Sequence, residues 1–92
     1  MKKIDTSKAK WELTKGEKYA IRWFEEHGFE GRPDRQYLSK TYFTVSKDGV
    51  SDVFSLPMGS KGIDYPAIME QYDRSFKLLC ELEELRRRGR GE

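Results

Sequence analysis

The chain has 92 residues, of which 36% are hydrophobic, 37% are charged and 13% are aromatic. A chain of this length forms one domain with a modest core and leaves little room for a deep pocket, and its aromatic content favours folding over disorder. No apolar run approaches the roughly 20 residues that span a bilayer, and the lone Cys80 cannot form an intramolecular disulfide, so a bacterial cytoplasmic protein without membrane contact is favoured.

The formal net charge of +2 is unevenly distributed along the chain. Residues 1–10 and residues 86–92 each carry a net charge of +3, which leaves the body between them at −4. Dedicated nucleic-acid-binding domains instead present a broadly basic face. The pattern predicts a mildly acidic body between two basic ends, and residues 1–10 are expected to be flexible.

A first helix is predicted over residues 14–27. Thr14 and Glu17 have the spacing of a capping box, so the helix should begin at Lys15. Gly28 supplies the left-handed residue that commonly follows a helix, so the helix should end at His27.

The next segment, residues 29–35, contains Gly31 and Pro33, which interrupt regular patterns. This segment is expected to form at best a short edge strand followed by a turn. Residues 36–56 then predict a β-hairpin, because Asp48 and Gly49 separate two runs rich in β-branched and aromatic residues.

The register of this hairpin depends on the form of its turn. If Gly49 occupies the left-handed position of a bulged turn, Phe43 and Val45 share a face with Val53. The sequence alone does not fix this register.

A long second helix is predicted over residues 64–88, with Asp64 as its cap. Its apolar residues alternate steps of four and three; they are Tyr65, Met69, Tyr72, Phe76 and Leu79. A helix of this length reaches about 36 Å, so its last turns are expected to project, with residues 89–92 as a tail. The predicted fold class is therefore α+β: a helix, a two- or three-stranded antiparallel sheet and a long C-terminal helix, in one domain over residues 1–92, with both helices on one face of the sheet.

Few residues offer catalytic or metal-binding chemistry. His27 is the only histidine and lies beside the helix end, where a cation interacts favourably with the helix dipole. Cys80 sits in an apolar stretch and is interpreted as a packing residue. No phosphate-binding glycine motif occurs. The sequence thus predicts a protein that is not an enzyme and has no cofactor and no metal site.

The helix that carries Glu17, followed by strands and a second helix, resembles the front half of the restriction-endonuclease-like core. Pro33 and Asp34 match the first two letters of that motif. The chemistry of that family also needs a lysine two residues after an acidic one, to hold Mg²⁺ and the attacking water, and the hairpin offers only Asp52-Val53-Phe54. The resemblance therefore implies a degenerate relative of that core, not an active nuclease.

Three stretches, GEKYAIRWFEEHGF, QYLSKTYFTVSKDGVSD and YPAIMEQYDRSFKLLCELEELRR, make the chain resemble short accessory proteins of prophages and mobile elements of Gram-positive bacteria. This resemblance implies a protein that occupies the surface of a host or phage macromolecule, including an inhibitor of a defence nuclease. The leading hypothesis is accordingly a protein-binding module whose acidic face meets a basic partner. Its candidate residues are Glu70, Asp73, Glu81, Glu83 and Glu84.

The alternative hypothesis is nucleic-acid binding. Interleaved basic and aromatic residues can form a strand surface that stacks bases and binds phosphates; these residues are Arg32, Arg35, Tyr37, Lys40 and Tyr42. The basic tail can add phosphate contacts through Arg86, Arg87, Arg88 and Arg90. A third possibility is a homodimer, because Leu78, Leu82 and Leu85 drift off the apolar stripe of the second helix.

Overall fold

A computed structural model of the chain describes residues 4–7, 9–58 and 61–89. The elements are α1 (Lys15–Glu26), β1 (Glu30–Tyr37), β2 (Lys40–Lys47), β3 (Val50–Pro57) and α2 (Tyr65–Arg88). The strands form one antiparallel sheet in the order β1-β2-β3. The predicted α+β fold is therefore confirmed. Neither helix in the described part of the chain combines the length and the apolar composition needed to cross a bilayer.

Helix α1 begins where its capping signal predicts. The Thr14 hydroxyl oxygen accepts from the Glu17 backbone N–H at 3.2 Å, and the Glu17 carboxylate accepts from the Thr14 N–H at 2.7 Å. The helix ends at Glu26, one residue earlier than predicted, with His27 as its C-cap. Gly28 follows with a φ of +81°, the left-handed conformation that the sequence predicts for it.

Strand β1 differs most from the sequence prediction, because a full strand of 8 residues replaces the expected short edge strand and turn over residues 29–35. Pro33 is tolerated because β1 is an edge strand, and the pairing register shifts between Pro33 and Arg35. Gly31 adopts a φ of +148°, and a Cβ atom there would lie 2.0 Å from the Thr44 carbonyl oxygen. Gly31 thus permits close pairing with β2 and does not break the strand.

The turn between β2 and β3 lies at Asp48 and Gly49, as predicted. Both residues have positive φ angles, 54° and 78°, so the turn is of type I′ with a two-residue loop. Without an extra bulged residue, Phe43 pairs with Phe54. The register that a bulged turn would give is therefore not the one adopted, and Val53 lies on the face opposite Phe43 with 61% of its surface exposed.

A second tight turn, at Leu38 and Ser39, joins β1 to β2. Their φ angles are also positive, at 50° and 60°. This conformation normally favours glycine or asparagine, which explains why the sequence does not signal a turn here.

Both helices pack on one face of the sheet. The Phe24 side chain of α1 is fully buried, and its ring centroid lies 5.9 Å from that of Phe43, 5.5 Å from that of Phe54 and 5.7 Å from that of Tyr72. These aromatic contacts join α1, the two inner strand residues and α2 into one core. No described helix packs on the other face of the sheet, where Arg32, Arg35 and Val53 are exposed.

Helix α2 follows its prediction closely. The Asp64 carboxylate accepts from the Ala67 N–H at 3.1 Å, and Met69, Tyr72 and Phe76 are buried. Beyond Cys80 most side chains are exposed, and the described chain measures 47 Å in its longest dimension against 27 and 25 Å in the others. The last turns of α2 therefore extend past the core.

Within residues 1–10, for which the sequence predicts flexibility, the described part of the segment is anchored at Ile4. Ile4 is 5% exposed, and its N–H donates to the Glu25 carboxylate at 3.1 Å. The Asp5 N–H donates to the Gly31 carbonyl oxygen at 2.7 Å. An apolar side chain and two hydrogen bonds thus hold this segment against the edge of β1.

Candidate nucleic-acid interface

The open face of the sheet carries the basic and aromatic residues of the nucleic-acid hypothesis. Side chains alternate between the two faces of a strand. Phe43, Val45 and the residues that pair with them therefore point to the helices. The residues next to these along each strand point away from the helices. The register places the following side chains together on the open face: Arg32, Arg35 and Tyr37 from β1, Lys40, Tyr42 and Thr44 from β2, and Val53 and Ser55 from β3. We call this set the open sheet face.

The irregularity in β1 allows both of its arginines to share this face. Arg32 and Arg35 are three residues apart, so in a regular strand they would lie on opposite faces. Arg32 pairs with Thr44 and Arg35 pairs with Tyr42, because the register shifts at Asp34. The bulge at Asp34 therefore places Arg35 on the same face as Arg32.

Aromatic rings lie beside these cations. The Arg35 guanidinium carbon is 5.4 Å from the ring centroid of Tyr42, within the range of a cation–π contact. Tyr37 is 61% exposed at the end of the strand. Two rings and three cations thus share the open sheet face.

The open sheet face carries charges of both signs, and Asp5 lines a cavity at its edge together with Arg32 and Thr44. Arg32 approaches Asp34 at 3.9 Å, but both side chains are about half exposed, so the pair is weak. Glu30 lies at the far end of the face, opposite Ser46. Within the described chain, neither Arg35 nor Lys40 forms an ion pair with a carboxylate.

Leu38 is a candidate residue that the sequence analysis missed. It is 76% exposed at the tip of the first hairpin, between Tyr37 and the turn residue Ser39. No sequence pattern marks it, because its exposure follows from the turn conformation and not from a periodic signal. It adds an exposed apolar group beside Tyr37 at that end of the sheet.

Glu17 holds this end of the sheet from the helix side. Its carboxylate is fully buried and accepts from Trp11 Nε1 at 3.0 Å, from the Thr14 N–H at 2.7 Å, from Gln36 Nε2 at 3.1 Å and from the Thr41 hydroxyl. Burial raises the pKa of Glu17, but these donors outweigh burial and hold the pKa below its ordinary value. Glu17 therefore joins the start of α1 to β1 and β2 as a charged carboxylate.

Glu17 and Asp52, two acidic residues of the nuclease resemblance, lie at different places along the sheet. Glu17 contacts Thr41, which pairs with Leu56, whereas Asp52 pairs with Val45. These positions on β3 are four residues apart, or about 13 Å at the usual rise of a strand. Among the described residues, no group of three or more His, Cys, Asp or Glu side chains is placed to hold a metal ion.

A scan of family models and searches of curated proteins and solved structures each found no match to this chain.

Asp52 forms a hydrogen bond with a core residue of α2, Tyr72. Its carboxylate accepts from the Tyr72 hydroxyl at 2.9 Å. Burial, together with this hydrogen bond and the charge of Asp52, raises the pKa of the Tyr72 phenol well above its ordinary value. Tyr72 therefore remains a neutral donor that ties α2 to β3.

The basic tail lies apart from the open sheet face. Arg87 lines a cavity of about 310 Å³ beside Asp48, at the β2–β3 turn. This turn is at the opposite end of the sheet from Tyr37 and Lys40, about 24 Å away along an eight-residue strand. Arg90 lies outside the described residues. The strand residues and the tail residues therefore do not form one continuous surface.

Two tail arginines also have partners within α2. Arg88 pairs with Glu84 at 2.8 Å, and Arg86 approaches Glu83 at 3.7 Å. Pairs of this spacing are stabilising by only a few tenths of a kcal/mol, about 0.2–0.5. They nevertheless reduce the charge that either member presents to a ligand.

The acidic set of the protein-binding hypothesis is interleaved with cations. Asp73 pairs with Lys77 at 3.2 Å, and Glu83 and Glu84 pair with the arginines of the tail. Glu70 and Glu81 are exposed on the same helix. The described part of α2 therefore presents mixed charge and not a uniformly negative face.

The lone histidine and the lone cysteine contribute to packing. The His27 ring stacks on the Trp23 ring with centroids 3.8 Å apart, and His27 Nδ1 donates to the Trp23 carbonyl oxygen at 2.8 Å. Cys80 is half-buried, and burial followed by the nearby charge of Asp48 raises the pKa of its thiol. A raised pKa keeps this thiol protonated and weakly nucleophilic at neutral pH.

Proposed function

We propose that the protein binds single-stranded nucleic acid on the open sheet face, without a catalytic step. The observation that supports this function is the placement of Arg32, Arg35, Tyr37, Lys40 and Tyr42 on one uncovered face of the sheet. Sequence-tolerant single-strand binding combines aromatic stacking with phosphate contacts from nearby cations, and this face supplies both groups.

The size of the face suits a short strand. Three strands about 4.8 Å apart and eight residues long give a surface of about 10 by 24 Å, room for three or four stacked nucleotides. Tyr37 and Tyr42 are the stacking residues in this proposal, and the Arg35 guanidinium near the Tyr42 ring is placed to contact both a base and a phosphate. Unpaired bases are required because paired bases expose no ring face to a tyrosine.

Substitution of the two tyrosines tests the stacking contribution. Stacking on an aromatic side chain contributes about 1–3 kcal/mol per base, so Tyr37→Ala and Tyr42→Ala should each weaken binding at least about fivefold. The measurement is fluorescence anisotropy of a labelled mixed-sequence single strand. Gln71→Ala, which removes an exposed side chain from α2, is the control and should leave the affinity unchanged.

Salt dependence tests the ionic contribution. Three phosphate contacts to Arg32, Arg35 and Lys40 predict a slope of about −2 in a plot of log affinity against log salt concentration. Arg35→Gln should reduce this slope by about 0.7, whereas Arg74→Gln, at an exposed position on α2, should leave it unchanged.

Three outcomes would count against the proposal. One is the absence of binding to any single strand at low salt. The second is binding that both tyrosine substitutions leave intact while thermal unfolding shows that the variants remain folded. The third is equal affinity for duplex and single strand, unaffected by Tyr42→Ala, which counts against stacking.

A second candidate is association of two copies through the last turns of α2. Leu78, Leu82 and Leu85 are each more than half exposed and have the 4-3 spacing of a coiled-coil seam. In a parallel pair, Glu81 of one copy faces Arg86 of the other, whereas an antiparallel pair places Glu81 opposite Glu81. Charge complementarity therefore supports the parallel arrangement.

Light scattering over a concentration series tests this second candidate. A dimer mass at high concentration that Leu82→Glu converts to a monomer mass would support it. A monomer mass at every concentration would contradict it. The hypothesis of an acidic face that inhibits a basic partner has less support, because Lys77 and the tail arginines neutralise three of its five carboxylates.

A further inference from the structure

A second basic surface lies on the opposite side of the molecule from the open sheet face. A cavity of about 380 Å³ opens between the outer side of α1 and the first turn of α2, lined by Lys15, Lys18, Tyr19, Arg22 and Tyr65. We call it the α1 groove. Its volume is within the range of ligand pockets, about 300–1,000 Å³.

The cations of the groove share one face of α1. Lys15, Lys18 and Arg22 have the i, i+3, i+7 spacing that aligns side chains over two turns, and all three are exposed. Within the described chain, none of them forms an ion pair with a carboxylate. Three unneutralised charges therefore lie along about 10 Å of helix.

The groove also has apolar walls. The rings of Tyr19 and Tyr65 lie 6.5 Å apart between centroids, at an interplanar angle of 32°. Gly16 permits the approach of α2, because a Cβ atom there would lie 2.3 Å from Cζ of Tyr65. The aliphatic stems of the lysines and the arginine extend these walls, with their charged ends at the rim.

The charge along α1 reverses beyond Arg22. The next positions on this side of the helix are Glu25 and Glu26, and Glu26 is exposed. A long polyanion that followed the helix would meet these carboxylates after about 10 Å and be repelled. A short segment that carries both acidic and apolar residues fits the groove in one orientation. Its acidic end must lie toward Lys15, because Glu25 and Glu26 would repel carboxylates at the other end.

We propose that the α1 groove binds an acidic segment of a partner protein, with carboxylates on Lys15, Lys18 and Arg22 and one apolar side chain against Tyr19 and Tyr65. The aliphatic stems of these cations add buried apolar surface to the contact, which strengthens binding. Their charged ends pair with the carboxylates of the segment, which fixes its orientation. This site is separate from the open sheet face, so one chain would join a nucleic acid to a protein.

Selection of random dodecapeptides on the full-length chain tests the site without a known partner. The expected result is a consensus of two or more Asp or Glu residues around a leucine or an aromatic residue. A labelled consensus peptide should lose about tenfold or more in affinity on the double substitution Lys18→Glu, Arg22→Glu, and less on the neutral pair Lys18→Gln, Arg22→Gln.

The matched control places the same charge reversal on α2, at Arg74 and Lys77, and should leave peptide binding unchanged. Tyr42→Ala should also leave it unchanged, which separates this test from that of the open sheet face. Selection without an acidic consensus would overturn the proposal, as would peptide affinity that the Lys18 and Arg22 reversal does not alter. Displacement of the peptide by a single-stranded oligonucleotide whose own binding depends on Lys18 and Arg22 would assign the groove to nucleic acid and would also overturn it.

Discussion

Replacement of Glu17 by glutamine changes a single oxygen atom to an NH₂ group, yet it should lower the free energy of unfolding substantially. The buried carboxylate accepts from four donors, with one oxygen facing the Thr14 N–H and the other facing Trp11, Gln36 and Thr41. Glutamine has only one acceptor oxygen. Its NH₂ group must face at least one of these four donors, whichever way the amide is oriented.

The magnitude follows from the less costly orientation. With the NH₂ group toward Thr14, one partly exposed backbone N–H loses its partner at a cost of about 1 kcal/mol, and the three remaining bonds lose their charge-assisted part, about 1 kcal/mol each. Relief from burying a charge offsets part of this loss. The free energy of unfolding should therefore fall by about 3 kcal/mol, which lowers the Tm of a domain of this size by about 15 °C.

Urea denaturation of Glu17→Gln beside Glu26→Gln provides the measurement. Glu26 lies on the same helix but is exposed, so its substitution should change the free energy of unfolding by less than about 0.5 kcal/mol. Equal stability of the two variants would refute the assignment of Glu17 as a buried, fully bonded carboxylate.

The pH dependence gives a second check on the same residue. The pKa of Glu17 in the folded chain lies below its ordinary value of 4.5, so its stabilising contribution is complete above pH 4.5 and is lost as the pH falls through the lower, folded pKa. The stability difference between wild type and Glu17→Gln should be constant near neutral pH and should narrow as the pH falls below 4.5. A difference that widens with acid would contradict the direction of the shift.

Two further predictions concern the turn and the core. Leu38→Asn with Ser39→Gly should raise the free energy of unfolding by about 1–2 kcal/mol in urea denaturation, because both residues have positive φ angles that the new residues adopt more readily; unchanged stability would show that this conformation carries no cost. Tyr72→Phe should lower the free energy of unfolding by about 1–2 kcal/mol through loss of its hydrogen bond to Asp52, and a stability equal to wild type in thermal unfolding would show that the bond contributes nothing.

The helices could be located from the sequence because their end signals are local. Thr14 with Glu17, and Asp64 with its following N–H groups, form hydrogen bonds within four residues of the chain. Such bonds depend on sequence spacing alone. The exact end of α1 shifted by one residue, which is within the ordinary variation of a helix terminus.

Strand β1 could not be predicted, because the contacts that allow Gly31 and Pro33 in a strand are made with residues distant in the sequence. Gly31 is required by the Thr44 carbonyl oxygen of the neighbouring strand, and Pro33 is permitted by an edge position. Neither circumstance can be read from residues 29–35. In isolation both residues indicate a break, and only the assembled sheet shows that they accommodate close pairing.

The candidate site was partly predictable for a related reason. Interleaved basic and aromatic residues indicated a strand surface, but strict alternation would have separated Arg32 from Arg35. The bulge at Asp34 brings both arginines to the same face, and the local sequence pattern does not predict this bulge. Leu38 escaped prediction because its exposure results from a turn between two residues that rarely form one.

The carboxylate network at Glu17 and the stack of Trp23 on His27 place the two tryptophans of the chain in contrasting surroundings. The Trp11 indole donates to a buried charge near the start of α1, whereas the Trp23 ring lies against an imidazole at its end. Separation of the His27 ring from Trp23 should change the emission of that indole, while loss of the Glu17 contact should shift the emission of Trp11 as it meets water. Intrinsic fluorescence of the unlabelled chain can therefore report separately on the two ends of α1.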